Sequence, residues 1–185
     1  MRIIHKVSKS FEMDKNKVYG RHHTSHLVHT AKILSDNGCN AATVVAGALH
    51  SLYDDAPMYG NKGANYNDRD TIIDIVGRDV EQLIFLYSKV HTARDFKQIS
   101  SNDGGFVIHT ENGDILLSDS ELNCLADILL SDMIEQIVWC VDHKKLFTIE
   151  EAQEHLAKLV EVSQYATLSI RQLFDRYWKM SCAQA

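Results

Sequence analysis

Proline is almost missing from this sequence: Pro57 is the only one in 185 residues. With apolar residues at 45% of the chain, that scarcity points to a compact, mostly helical protein. No two cysteines form a CxxC pair. Cys39, Cys124, Cys140 and Cys182 lie far apart and read as reduced core thiols of a cytosolic protein, with a reactive thiol as the lesser alternative. No apolar run approaches the roughly 20 residues needed to span a bilayer. Met1 to Lys6 also lacks the apolar core of a signal peptide. A soluble, cytoplasmic protein with no membrane partner is expected. There is no basic excess either. A formal net charge of −6 argues against a nucleic-acid surface, though a few arginines can still hold a small anionic substrate. Repeats, low-complexity tracts and charged linkers are absent, so one domain over 1–185 is expected, long enough to bury a core without disulfides.

What is present is helical periodicity. Helices are expected from Ile3 to Phe11, from Arg21 to Asn37 with a stop at Gly38, and from Ala41 to Tyr53. The third is so apolar that it should be buried on most sides. From Asp54 to Asp68 the pattern lapses. A loop of this length is either a lid or substrate contact, or a plain connection. Helices resume over Arg69 to Val76 and Arg78 to His91. Phe106 to Thr110, then Asn112-Gly113, then Ile115 to Leu117, predict a small β-hairpin. Capping boxes at Ser118 to Glu121 and Thr148 to Glu151 open a long helix to about Val141 and the first of two closing helices over 148–180. Tyr177 and Trp178 on the last helix pack on the domain or meet a second copy, which leaves a homodimer open.

Chemistry is concentrated in two segments, Gly20-Arg21-His22-His23-Thr24-Ser25-His26-Leu27 and Ala48-Leu49-His50-Ser51-Leu52-Tyr53-Asp54-Asp55. Five of the 10 histidines fall between His22 and His50, within stretches that otherwise read as buried helix. A core-facing imidazole needs a partner, and a divalent metal serves several at once. His22, His26 and His29 are spaced to share one arc of the second helix. His50 sits among Val45, Ala46, Leu49 and Tyr53 and should point inward. On the long helix Asp132 lies at the edge of the stripe made by Leu122, Leu125, Leu129, Met133 and Gln136. An isolated buried carboxylate costs several kcal/mol, so it too calls for a partner. One metal ion on His26, His50 and Asp132 satisfies all three. His22, His23 and His29 read as structural, and His5, His143 and His155 as solvated. Asp127 reads as an exposed helix residue, with replacement of Asp132 as its alternative role.

These residues resemble the HD superfamily of helical metal-dependent phosphohydrolases. There a His on one helix is followed by a His-Asp doublet on the next and an Asp from a later long helix. His26, His50 and Asp132 match three of the four positions; Ser51 stands at the fourth. The stretch from Gly20 to Tyr53, with Ser131 to Gln136, is also similar to small uncharacterised HD-like proteins whose doublet reads His-Ser. The resemblance implies an all-α, HD-domain-like helical bundle with a small β-hairpin insertion, and a metal-site core over about 20–141.

Serine is a poor ligand for a hard or borderline divalent ion. The implied site is therefore mononuclear, with three protein ligands plus water. Fe, Mn, Zn and Mg all stay open as the ion. The resemblance implies hydrolysis of a small phosphorylated or otherwise anionic substrate through a metal-bound water. Two alternatives remain: a mononuclear iron oxygenase of HD type, since two imidazoles and a carboxylate suit ferrous iron, and a catalytically degenerate binding module. Asp54, one helical turn past His50, replaces the missing carboxylate, acts as the general base, or is an ordinary solvated helix-end residue alongside Asp55. Arg21, Lys62, Arg69, Lys89 and Arg94 can bind an anion bidentately or as point charges, and Arg21 is nearest His26 in sequence.

Overall fold

The computed structural model describes all residues except 1, 14, 16, 19, 54–62, 91–98, 103–104, 144–153, 155 and 183–185. Asp54, Asp55, Lys62, Arg94, His91, His155, most of the loop after Tyr53 and the capping box at Thr148 to Glu151 lie outside the described residues. The described residues are mostly helical, with a small antiparallel sheet, and fall into two compact units, Met1–Ser88 and Lys89–Ala185. No described helix is long and apolar enough to cross a membrane.

In the first unit, α1 (Arg2–Ser10) packs against α4 (Arg69–Val76), and α2 (His23–Asp36) against α3 (Ala41–Gly47). A two-residue ribbon, β1 (Lys17–Val18) with β2 (Arg21–His22), draws Arg21 and His22 out of the helix expected to include them. Helix α2 then buries His23, His26, Leu27, Thr30, Ala31 and Leu34, a stripe of helical period. It ends where expected, at Gly38 in the left-handed region with φ +76°. Helix α3 opens on Asn40, whose side chain accepts from Thr43 N at 2.9 Å.

The third helix stops earlier than its sequence suggests. Past Gly47 the chain tightens, with Leu49 N donating to Ala46 O at 3.0 Å, and continues as a 3-10 turn over His50–Leu52. A second 3-10 turn, Tyr66–Asp68, leads into α4, and α5 (Arg78–Val90) follows the left-handed Gly77.

One buried carboxylate ties this unit together. Glu81 is fully buried on α5 and accepts from Arg69 Nε and Nη2, at 2.6 and 2.7 Å, and from Tyr53 OH at 2.6 Å. The Arg69 guanidinium also lies 4.0 Å from the Phe85 ring centre. Burial first, then the bond to Glu81, holds the Tyr53 phenol far above its ordinary pKa of 10. A phenol raised this way stabilises the fold below about pH 10 and stops doing so as pH climbs past it, because only the unfolded chain then releases the proton. Stability should therefore decline above about pH 10, by less than the ~1.4 kcal/mol per pH unit of a wholly buried group. Tyr53→Phe should flatten that decline. Urea denaturation at pH 9, 10 and 11 checks it, and an unchanged slope in the variant contradicts it.

In the second unit the expected hairpin is β4 (Gly105–Thr110) with β5 (Gly113–Leu117). A further strand, β3 (Ile99–Asn102), pairs antiparallel with β4 and makes a three-stranded sheet. Its sequence, Ile-Ser-Ser-Asn, has no apolar alternation, and so it gave no strand signal. On the exposed face His109 joins the strands, with Nε2 2.8 Å from Ser100 Oγ and Nδ1 2.9 Å from Asp114 Oδ1. Gly105 admits no side chain, since a Cβ there would stand 2.8 Å from Leu117 O.

Helix α6 (Asp119–Asp142) starts at the expected capping box: Ser118 N donates to Glu121 Oε2 at 2.8 Å, and Glu121 N to Ser118 Oγ at 3.2 Å. Helices α7 (Val160–Ser163) and α8 (Leu168–Cys182) pack on α6. Asp127 is a correction. It is 2% exposed, and its Oδ1 accepts from Thr167 N at 2.8 Å and Thr167 Oγ1 at 3.1 Å. It thus serves an amide that would go unsatisfied at the start of α8. Asp127→Ala should cost about 1–3 kcal/mol in chemical denaturation and leave metal uptake unchanged. Loss of metal in that variant would return Asp127 to the ligand set.

Candidate metal site

Position on α2 decides which histidines are buried. His23 and His26 begin the core stripe that runs on through Leu27, Thr30 and Leu34. His22 is exposed on the extended ribbon, and His29 is exposed on the helix flank. The arc expected to hold His22, His26 and His29 together is therefore divided, with His26 inside and the other two outside.

His50 owes its orientation to the helix break. In a continuing helix Gly47 O would accept from a backbone amide four residues on. Here His50 Nδ1 lies 2.7 Å from that carbonyl. A carbonyl only accepts, so Nδ1 carries the proton and Nε2 presents a lone pair. The ring is fully buried, with Tyr87 in an edge contact at 5.2 Å between centres. A backbone carbonyl on the far nitrogen is the usual means of fixing a metal-binding imidazole.

His26 Nε2 stands 3.4 Å from His50 Nε2, with the two rings nearly perpendicular at 89°. That is long for a nitrogen–nitrogen hydrogen bond. It is the spacing of two ligands on one tetrahedral ion, which at 2.0–2.1 Å each stand about 3.3–3.4 Å apart. His26 and His50 thus each offer one buried ligand atom to a metal ion, and Asp132, in the second unit, is a buried carboxylate of a kind that could offer another. Asp132 is 4% exposed, and its Oδ1 accepts from Gln136 Nε2 at 2.6 Å.

Ser51 is held by a second histidine of α2. Its Oγ lies 3.0 Å from His23 Nε2, and both residues are buried. The His23 ring stacks near-parallel to that of His26, at 6.1 Å between centres. A structural role for His23 was legible from its place on the helix. Its pairing with Ser51 was not, because nothing in the spacing links positions 28 residues apart.

Arg21 comes close to the site, as expected, but from the ribbon and not from a helix. It is 6% exposed, and Nη2 lies 3.5 Å from His26 Nδ1. Arg69 is committed to Glu81, which removes it as an anion ligand, and Lys89 is exposed on α5. Glu81 and Glu135 are two further buried acids that the sequence did not single out.

A family model described as a domain of unknown function (DUF6817) matches residues 10–92, under half of the chain; the match includes His26 and His50 and stops short of Asp132. No curated protein and no solved structure matches the chain.

Proposed function

We propose that this protein is a metal-dependent hydrolase of the HD type, acting in the cytoplasm on a small phosphorylated or otherwise anionic substrate. The observation that carries the reading is the 3.4 Å separation of the two buried Nε2 atoms; the reading adds the buried carboxylate of Asp132 as the third ligand. A divalent ion bound there supplies Lewis acidity and brings a coordinated water's pKa to about 7.

The chain's own residues supply the rest. Gly47 O holds His50 in one tautomer, and Gln136 holds one oxygen of Asp132. Arg21 donates to the substrate's oxyanion, for which a guanidinium is the matching group. Asp54, four residues past His50, takes the proton released by the attacking water.

The same donor set suits ferrous iron, so the test has to separate hydrolysis from oxygenation. Protein stripped with a chelator is reloaded in turn with Zn, Mn, Fe and Mg, then supplied with a panel of phosphoesters and nucleotides. Phosphate release in the loaded protein alone is expected. Asp54→Asn should lower kcat by about 10²–10⁴-fold, the usual share of a general base. Oxygen uptake without hydrolysis would overturn the reading in favour of an iron oxygenase. Neither activity with any ion would leave a binding module.

A further inference from the structure

We propose that Ser100, His109 and Asp114 form a second hydrolytic site, which cleaves carboxylic esters with a short apolar acyl group through an acyl-Ser100 intermediate. It uses none of the residues of the proposed metal site.

The three residues come from three adjacent strands: Ser100 from β3, His109 from β4 and Asp114 from β5. Pairing sets His109 directly opposite Asp114. It sets Ser100 opposite Val107, two residues before His109 and on the same face. His109 Nδ1 lies 2.9 Å from Asp114 Oδ1, and Nε2 lies 2.8 Å from Ser100 Oγ. A carboxylate only accepts, so a neutral His109 carries its proton on Nδ1 and turns the Nε2 lone pair to the hydroxyl. Ser100 O–H then donates to that lone pair. Hydroxyl, base and orienting carboxylate thus stand in the order and at the distances of a nucleophilic triad. Such a triad is recognised by geometry and role, and it recurs on unrelated folds.

Stability gives little reason for this row. His109 and Asp114 are 55% and 64% exposed, and an exposed charged pair contributes little. Exposure of Ser100 does leave its hydroxyl open to a substrate. Leu116 stands opposite Val107 on β5, faces the same side and is 72% exposed. Ser100, Val107 and Leu116 therefore make a row across the sheet. An apolar acyl group can lie along it with its carbonyl at the hydroxyl.

In the first step Ser100 Oγ attacks the carbonyl carbon while its proton passes to His109 Nε2. The bond from that carbon to the ester oxygen breaks, and the departing oxygen takes the proton from His109. A water then attacks the acyl carbon, again through His109, which returns the proton to Oγ as the carboxylic acid leaves. Asp114 touches no reacting atom and is a positioning residue.

The test uses p-nitrophenyl butyrate on the full chain after stripping with a chelator. A butyryl group on Ser100, located by peptide mass spectrometry, is expected. Ser100→Ala and His109→Gln should each slow nitrophenol release at least about 10-fold, since a positioned base is worth about 10²–10⁴-fold. Asp114→Asn should also slow it, and Asp114→Glu should restore most of the rate; no rescue would overturn the positioning role. Leu116→Ser should raise KM about 3-fold, the worth of roughly one buried methylene, with kcat unchanged. An unchanged KM would overturn the seat for the acyl group. Butyrylation of the wild type only at other residues, or equal rates in the wild type and a folded Ser100→Ala variant, would overturn the proposal. Neither result bears on the proposed metal site.

Discussion

Replacing His50 with alanine is expected to lower zinc affinity by more than about 100-fold. Changes that only disturb the support behind a metal ligand cost 10–100-fold, and loss of a ligand itself exceeds that. His50 is the most fixed member of the group, being fully buried with its far nitrogen on Gly47 O. The same substitution removes that carbonyl's donor and opens a small cavity, so a stability loss of about 2 kcal/mol should accompany it. The comparison that isolates the metal effect uses His23 and His29. His29→Ala, on the exposed flank, should change neither stability nor zinc binding. His23→Ala breaks the contact with Ser51 and should destabilise the fold while zinc affinity stays within a few fold. Calorimetric zinc titration of the folded variants reads the outcome. Equal losses in the His23 and His50 variants would mean that burial and not ligation controls the site.

The largest stability effect is expected at Glu81. Its carboxylate accepts from both Arg69 nitrogens and from Tyr53, while its side chain is 1% exposed. Glu81→Ala strips the partner from a partly exposed guanidinium and from the Tyr53 phenol together. Breaking a buried pair by removing one member costs about 3–5 kcal/mol. That is a large share of the stability of a typical domain. Glu81→Gln keeps an acceptor for one donor and should cost less. Urea midpoints and slopes measure both, and a loss below about 1 kcal/mol for Glu81→Ala would contradict the role given to this carboxylate. Because Tyr53 ends the segment that begins with the His50 turn, this carboxylate also anchors the backbone next to His50.

How far the sequence could be read depended on whether a signal was local. The stop of α2 and the start of α6, set by Gly38 and by the Ser118 to Glu121 box, are decided by a few adjacent residues, and they were legible. So was the hairpin, through Asn112-Gly113. The end of α3 was not, because the apolar pattern runs on past Gly47 while the backbone tightens so that a side chain can reach a carbonyl. That same break orients His50. Asp127 was misread for the same reason: its partner, Thr167, lies 40 residues away. The burial of His26, His50 and Asp132 was legible because each is a polar residue among apolar positions of a helical pattern. The removal of His22 from the arc needed the ribbon at Arg21–His22, which no periodicity announces.

The metal content of the full chain tests the central claim most directly. Elemental analysis of the protein as purified, and again after incubation with each divalent ion and dialysis, should find about one ion per chain, lost when His26, His50 or Asp132 is replaced. A protein that carries no metal as purified and retains none afterwards would contradict the account.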